Sequence, residues 1–143
     1  MAVDRGIIGR KSPSFTVTVE AGKVKEFAAA VGEASELCWD DDRPGGIVAP
    51  PTFSHVFRSG KMELMLSDCG LDATKFLHGE HEIAYHRPLR PGDRITYHIE
   101  VADVQEKTGR RSGPMDIVTF ETVLRDPAGE KVQTIRQTFV ARR

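Results

Sequence analysis

Cysteine and aromatic side chains are scarce: the 143 residues hold two Cys, one Trp and two Tyr. Cys38 and Cys69 stand far apart, with no CxxC pair and no spacing typical of a secreted disulfide framework, so they read as reduced thiols. Charge of one sign is not in excess either, since 20 Lys plus Arg face 21 Asp plus Glu for a net charge of -1. A chain without an overall basic field has little to draw it to a phosphate backbone, so no nucleic-acid partner is expected. No run approaches the ~18–20 apolar residues of a membrane span, and residues 1–11 lack the apolar core of a secretory leader. The location is therefore read as cytoplasmic. Internal repeats, linkers and low-complexity tracts are absent as well. What is present, 39% hydrophobic and 29% charged residues, is a globular composition. A chain of this length buries about two thirds of the surface its unfolded form exposes, so one domain over 1–143 needs no covalent staple.

The apolar residues fall into recognisable periods. Phe15, Val17 and Val19 alternate with Thr16 and Thr18, which predicts a short strand buried on one face. Val24, Phe27, Ala28 and Val31 form one helical stripe, and Gly32 follows where a helix commonly stops. Periodicity is lost over 33–51, which reads as an ordered loop. Phe53, Val56, Phe57, Met62, Met65 and Leu66 then predict a second helix, interrupted near Gly60, with apolar faces too broad for a surface element. The rest is strand-rich. A strand over 76–86 leads to a turn at 87–93, Ile95, Tyr97, Ile99 and Val101 alternate in the next strand, and a polar loop covers 107–113. Two further strands, 117–124 and 132–141, are joined by the turn Asp126-Pro127-Ala128-Gly129. A sheet with one apolar face must cover it, and the two helices are the available cover. The expected architecture is α+β: an antiparallel sheet of about five strands wrapped around a central helix, the hot-dog arrangement, with other α+β sandwiches compatible with the same order.

Three segments carry a more specific signal: Phe27-Ala28-Ala29-Ala30-Val31-Gly32-Glu33, Gly45-Gly46-Ile47-Val48-Ala49-Pro50-Pro51-Thr52-Phe53, and Leu77-His78-Gly79-Glu80-His81-Glu82-Ile83-Ala84-Tyr85-His86-Arg87-Pro88-Leu89-Arg90-Pro91-Gly92-Asp93. In order and spacing they resemble the MaoC-like dehydratase and hydratase family, specifically its N-terminal-half type, which stands as a noncatalytic half or subunit beside a catalytic one. The resemblance implies a hot-dog fold, pairing into a homodimer or a heteromer with a catalytic MaoC-like chain, and a tunnel for an acyl-CoA or acyl-ACP thioester. The chemistry it implies is reversible hydration, with no cofactor. It also places substrate contacts at Pro51, Thr52, Phe53, Phe57 and Gly79.

Catalytic relatives carry Gly-Asp followed five residues later by His. Here that stretch reads Gly32-Glu33-Ala34-Ser35-Glu36-Leu37-Cys38, so Glu33 takes the Asp position and Cys38 the His position. A carboxylate displaced by about 1 Å can cost ~100-fold in rate, and a thiol with an ordinary pKa near 8.5 is mostly protonated at neutral pH. Where relatives use a Gly at the helix start to stabilise the enolate oxygen, this chain has Pro51, which has no N–H. Pro in the first turn is also simply a good way to begin a helix. The expected function is an acyl-thioester-binding subunit of a (3R)-hydroxyacyl dehydratase or enoyl hydratase. The alternatives are a self-sufficient enzyme in which Glu33 is the base and His55 or His78 replaces the missing imidazole, and a noncatalytic acyl-CoA-binding or thioesterase-like protein.

Other constellations have bland readings beside the functional ones. Straight-strand alternation puts His78, Glu80, Glu82 and His86 on one face and His81 on the other, so no compact metal site is expected. The run Asp40-Asp41-Asp42 lacks the spaced ligands of a calcium loop and reads as solvated. Arg87, Arg90, Arg94, Arg110 and Arg111 suit coenzyme A phosphates or, equally, solubility and strand-edge protection. Met62 and Met65 are packing residues or the lining of an acyl tunnel.

Overall fold

The computed structural model describes residues 2–143. Six strands, β1 (Phe15–Thr18), β2 (Phe76–Tyr85), β3 (Arg94–Tyr97), β4 (Ile99–Gly109), β5 (Gly113–Arg125) and β6 (Lys131–Arg142), accompany three helices, α1 (Ala21–Ala30), α2 (Glu36–Trp39) and α3 (His55–Asp68). The sheet is antiparallel in the order β1-β3-β5-β6-β2, with β4 also on β5. Only His98 separates β3 from β4, and both pair with β5, so the two are halves of one long strand and the sheet is in effect five strands wide.

The alternation expected for the first strand holds: Val19 is buried, and β1 pairs with β3 in register from Phe15 with Tyr97 to Thr18 with Arg94. In α1, Val24 and Ala28 are fully buried and Phe27 packs edge-on against Phe53, which joins this helix to α3. Val31 is exposed because it lies at the C-cap, past the last turn that faces the core. The second helix is not interrupted. It runs through Gly60, since its buried positions Arg58, Met62, Met65 and Leu66 form one stripe held by the sheet, and tertiary packing outweighs the roughly 1 kcal/mol by which Gly disfavours a helix interior. Tyr97 fastens this helix to the sheet by donating its hydroxyl proton to the Phe57 carbonyl at 2.8 Å. One apolar cluster joins Phe53, Met65 and Leu66 to Tyr97, Val118, Phe120, Leu124 and Ile135. Each such side chain contributes about 1.5–3 kcal/mol by leaving water.

Two departures have local causes. The polar stretch from Lys107 continues the β4–β5 ladder to Gly109 opposite Gly113, because a two-strand extension beyond the core needs backbone pairing but no apolar alternation. A short helix, α2, stands inside the expected loop, capped by Ser35, whose Oγ accepts the Leu37 N–H at 3.2 Å.

The N-terminal segment covers the free edge of β4: Gly9 N–H donates to Val101 O, Val101 N–H to Arg10 O, and Ser12 N–H to Ile99 O. Among the described residues the ten-residue strand β2 has no such cover. It pairs with β6 on one side only, and it exposes Leu77 at 67% and Tyr85 at 51%.

At the far end of β5, Asp116 is 3% exposed and takes both Nε and Nη2 of Arg143, at 3.1 and 2.8 Å. These hydrogen bonds from Arg143, the largest influence, hold the Asp116 carboxyl below the usual carboxylate range, against the opposing effect of burial. A depressed folded-state pKa gives stability that is present above the unfolded value, about 3.9, and is lost as pH falls through the folded one. Urea titrations of wild type and Asp116→Asn are expected to differ most near neutral pH, with wild type the more stable. The two curves should converge as pH falls through the depressed folded-state pKa; a gap independent of pH would remove the ion pair as its cause.

Candidate functional site

The segment between α1 and α3 is laid over the end of β2 and makes a cavity of about 550 Å³, whose walls include Glu33, Cys38, Pro51, Tyr85, Arg87 and Gln133. Gly32, at φ 73°, turns the chain out of α1 in a conformation that disfavours side chains with a Cβ, and Glu33 follows at once. Glu33 is half-buried and tied down three times. Its N–H donates to Ala28 O at 2.8 Å, its carbonyl accepts Trp39 Nε1–H at 2.7 Å, and its Oε1 accepts the Ser35 N–H at 2.9 Å. The carboxylate is thus engaged in holding the turn that leads into α2.

Cys38, on α2, is 3% exposed. Burial pushes its thiol up, the Glu33 carboxylate pushes it further, and Arg43 opposes both. The side chain at this position is therefore a neutral thiol at physiological pH, with neither the charge nor the two nitrogens of an imidazole. The wall opposite is the start of α3. Pro51 has no N–H to offer, the Phe53 N–H is already given to Pro50 O at 3.0 Å, and Tyr85 clamps the turn by donating to Pro51 O at 2.7 Å. Gln133, 2% exposed, brings to this region from β6 an Oε1 that has no partner among the described residues.

The remaining wall is set by the turn after β2. Gly92, at φ 91°, permits it. Asp93 pins it by accepting the Arg90 N–H and Arg87 Nη1, both at 2.8 Å, while Arg90 reaches back to Gly45 O at 2.8 Å and Gly46 O at 3.2 Å. Ala49 N–H to Leu89 O, at 2.7 Å, completes the seam. Arg87 and Arg90 thus have structural work. Arg94, Arg110 and Arg111 are exposed, the last two at the β4–β5 hairpin tip. The three aspartates, Asp40 to Asp42, are exposed as well, with Lys25 on Asp41.

The sequence-predicted residues thus divide. Glu33, Cys38 and Pro51 share one cavity; Thr52 is exposed beside it, and Phe53 and Phe57 belong to the core. His55 and His78 line a different cavity, between α3 and β2, together with Met62, whereas Met65 is core. Gly79 sits at a β-bulge, where two residues of β2 oppose one of β6, and a Cβ there would meet Val140 Cγ2 at 3.2 Å. This bulge overturns the straight-strand alternation expected for β2. It returns His81 to the face of His78, and their rings meet edge-on at 5.4 Å. Tyr85 and Gln133 are the site residues that sequence reasoning missed. Tyr85 lies within a quoted motif, but nothing in linear spacing shows that its hydroxyl reaches Pro51.

A family model described as the FAS1-like dehydratase domain region matches residues 6–135. The chain belongs to this MaoC-like hot-dog family. Among its relatives are UPF0336 proteins of Saccharopolyspora erythraea and Streptomyces coelicolor, each 33% identical over 99% of this chain and over 93% and 97% of their own lengths. A solved MaoC-like dehydratase superposes on 94% of this MaoC-like chain with a TM-score of 0.82 and 26% identity, the match spanning 42% of that longer protein. The HadBC (3R)-hydroxyacyl-ACP dehydratase complex of Mycobacterium tuberculosis shares the fold at a TM-score of 0.74 and 22% identity, over 94% of this chain and 97% of that one.

Proposed function

We propose that this MaoC-like chain is the noncatalytic, acyl-thioester-binding subunit of a (3R)-hydroxyacyl-thioester dehydratase or enoyl hydratase. Its single domain, 1–143, would pair along β2 with a second hot-dog chain that supplies the Asp and His. The observation that carries this reading is the composition of the 550 Å³ cavity: a tethered Glu33, a neutral buried Cys38 and a Pro51 without N–H stand together in it, the three residues that the sequence resemblance sets against the family's chemistry. Hydration of an enoyl thioester needs a base to take a proton from water, an acid to deliver one to the α carbon, and a donor for the enolate oxygen. None of the three side chains offers those functions in full. The apolar walls, among them Leu37, Val48, Pro50 and Leu89, suit a hydrocarbon chain. Gln133 Oε1 suits an amide N–H, of which a pantetheine arm has two.

The uncovered edge of β2 supports a partner, because an exposed ten-residue strand is an open set of backbone donors and acceptors. Two structures that share the fold, HadBC and ChsH1–ChsH2 of Mycobacterium tuberculosis, are complexes of two named chains. The self-sufficient alternative has less to stand on, since His55 and His78 line a cavity separate from that of Glu33. The purified chain alone is expected to hydrate crotonyl-CoA no faster than Glu33→Gln and Cys38→Ala variants do. Turnover by the chain alone that disappears in either variant would overturn the noncatalytic reading.

A further inference from the structure

The cavity between α3 and β2, about 340 Å³, holds an electrostatic imbalance that the acyl-thioester reading does not use. Arg58 lines it and is 1% exposed. Among the described residues its guanidinium makes one hydrogen bond, from Nη1 to Gln137 Oε1 at 2.8 Å, and Nε and Nη2 have no partner. Among the described residues no ion pair involves it. Burial lowers its pKa only to about 10, so it stays charged at neutral pH. A buried cation answered by one neutral amide is costly unless a counter-charge arrives.

The surroundings add donors and positive potential. His55 from α3 and His78 from β2 line the cavity, and His81 lies edge-on to His78. His81 is held below its usual pKa by desolvation first, then by Arg58, His78 and His55, so the positive potential of the cavity reaches it. Glu63, on the exposed side of α3, is the carboxylate in the wall. Met62, Leu66 and Phe139 make the remainder apolar.

We propose that this cavity is a carboxylate site, in which the Nε–Nη2 edge of Arg58, closed to solvent in the empty cavity, opens to the ligand as its fork, with the imidazoles of His55 and His78 in the wall, that of His81 behind His78, and the apolar wall taking a short hydrocarbon stem. The unpartnered pair Nε and Nη2 is the side-on edge of a guanidinium, whose parallel N–H bonds match the two oxygens of a carboxylate. Phosphate fits less well, since a dianion would lose water to a wall that is partly Met, Leu and Phe. The carboxylate can belong to a free short-chain acid or to a side chain of the partner that pairs along β2. Binding tightens as pH falls, because a bound anion favours the protonated form of His81, which the cavity otherwise disfavours; the charged and polar groups around it are Arg58, His55, His78, Glu63 and Gln137.

Hexanoate is the probe for a free acid and inorganic phosphate the control, with melting temperature and histidine NMR titrations of the full chain as readouts. Hexanoate at a hundredfold excess over its dissociation constant is expected to raise Tm by roughly 5–10 °C and to move the His81 pKa upward. Arg58→Met is expected to be at least as stable as wild type without ligand and to lose both responses. If the partner supplies the carboxylate, hexanoate will have no effect on the dimer, but Arg58→Met will weaken dimerisation at least tenfold in sedimentation runs. If Arg58→Met does not fold, His81→Gln serves, with at least fivefold weaker hexanoate binding or dimerisation at pH 6. Absence of both effects, a response to phosphate alone, or an unligated Arg58→Met that folds but is much less stable with no hexanoate effect on wild type would overturn the assignment. None of these readouts depends on hydratase activity, so this site and the acyl-thioester reading can fail separately.

Discussion

Pairing this chain with a MaoC-like chain that carries the Asp/His pair is expected to raise crotonyl-CoA hydration at least about 10³-fold over this chain alone. The size follows from what the cavity lacks. Positioned acid–base groups supply ~10²–10⁴-fold, and a single fixed oxyanion donor ~10²–10³-fold. Cys38 cannot replace the first, being neutral and buried, and Pro51 cannot replace the second. Under the proposed pairing a partner's site would supply both, while this chain would contribute an apolar cavity and the β2 edge. Co-expression, co-purification and a spectrophotometric assay of each chain separately and together check the result. A partner chain that is equally active alone, and at the same affinity for long-chain enoyl thioesters, would leave this chain no part in the reaction.

Restoring the missing groups in this chain is the second large effect. Glu33→Asp with Cys38→His is expected to give about 10-fold over background, and adding Pro51→Gly to bring the total to roughly 10³-fold, since one oxyanion donor is worth ~10²–10³. The local structure tolerates each change. Asp can keep the cap that Glu33 makes on Ser35 N–H, as Asp4 and Asp72 already do by accepting the N–H two residues on, at 2.8 and 3.0 Å. Imidazole at position 38 would extend into the cavity that the thiol now borders. Gly at position 51 keeps the carbonyl that Tyr85 holds, so the turn stays anchored while its N–H becomes available. Crotonyl-CoA hydration by the folded double and triple variants, with circular dichroism as the check on folding, measures the gain. Folded triple variants that bind the thioester and remain at background would show that these positions do not correspond to the family's catalytic ones.

Residue patterns by themselves determined the parts of this protein in which a local period meets a single buried face. The stripe Val24, Phe27, Ala28 sets α1, the alternation from Ile95 to Val101 sets the strand made of β3 and β4, and three motifs in order are enough for the family. That Glu33, Cys38 and Pro51 belong together was readable from motif spacing, and the fold does bring the three to one cavity. Tertiary structure decided the rest. The four residues of α2 are too few to show a helical period, and packing alone carries α3 through Gly60. The bulge at Gly79 inverts the faces of every residue before it relative to those after it, a shift set by pairing with β6 across sixty residues of chain rather than by anything within β2. For the same reason no spacing separates His55 and His78 from Glu33, or brings Arg58 to Gln137, 79 positions away: these distances are fixed by which strands share the sheet and by the helix packed on it.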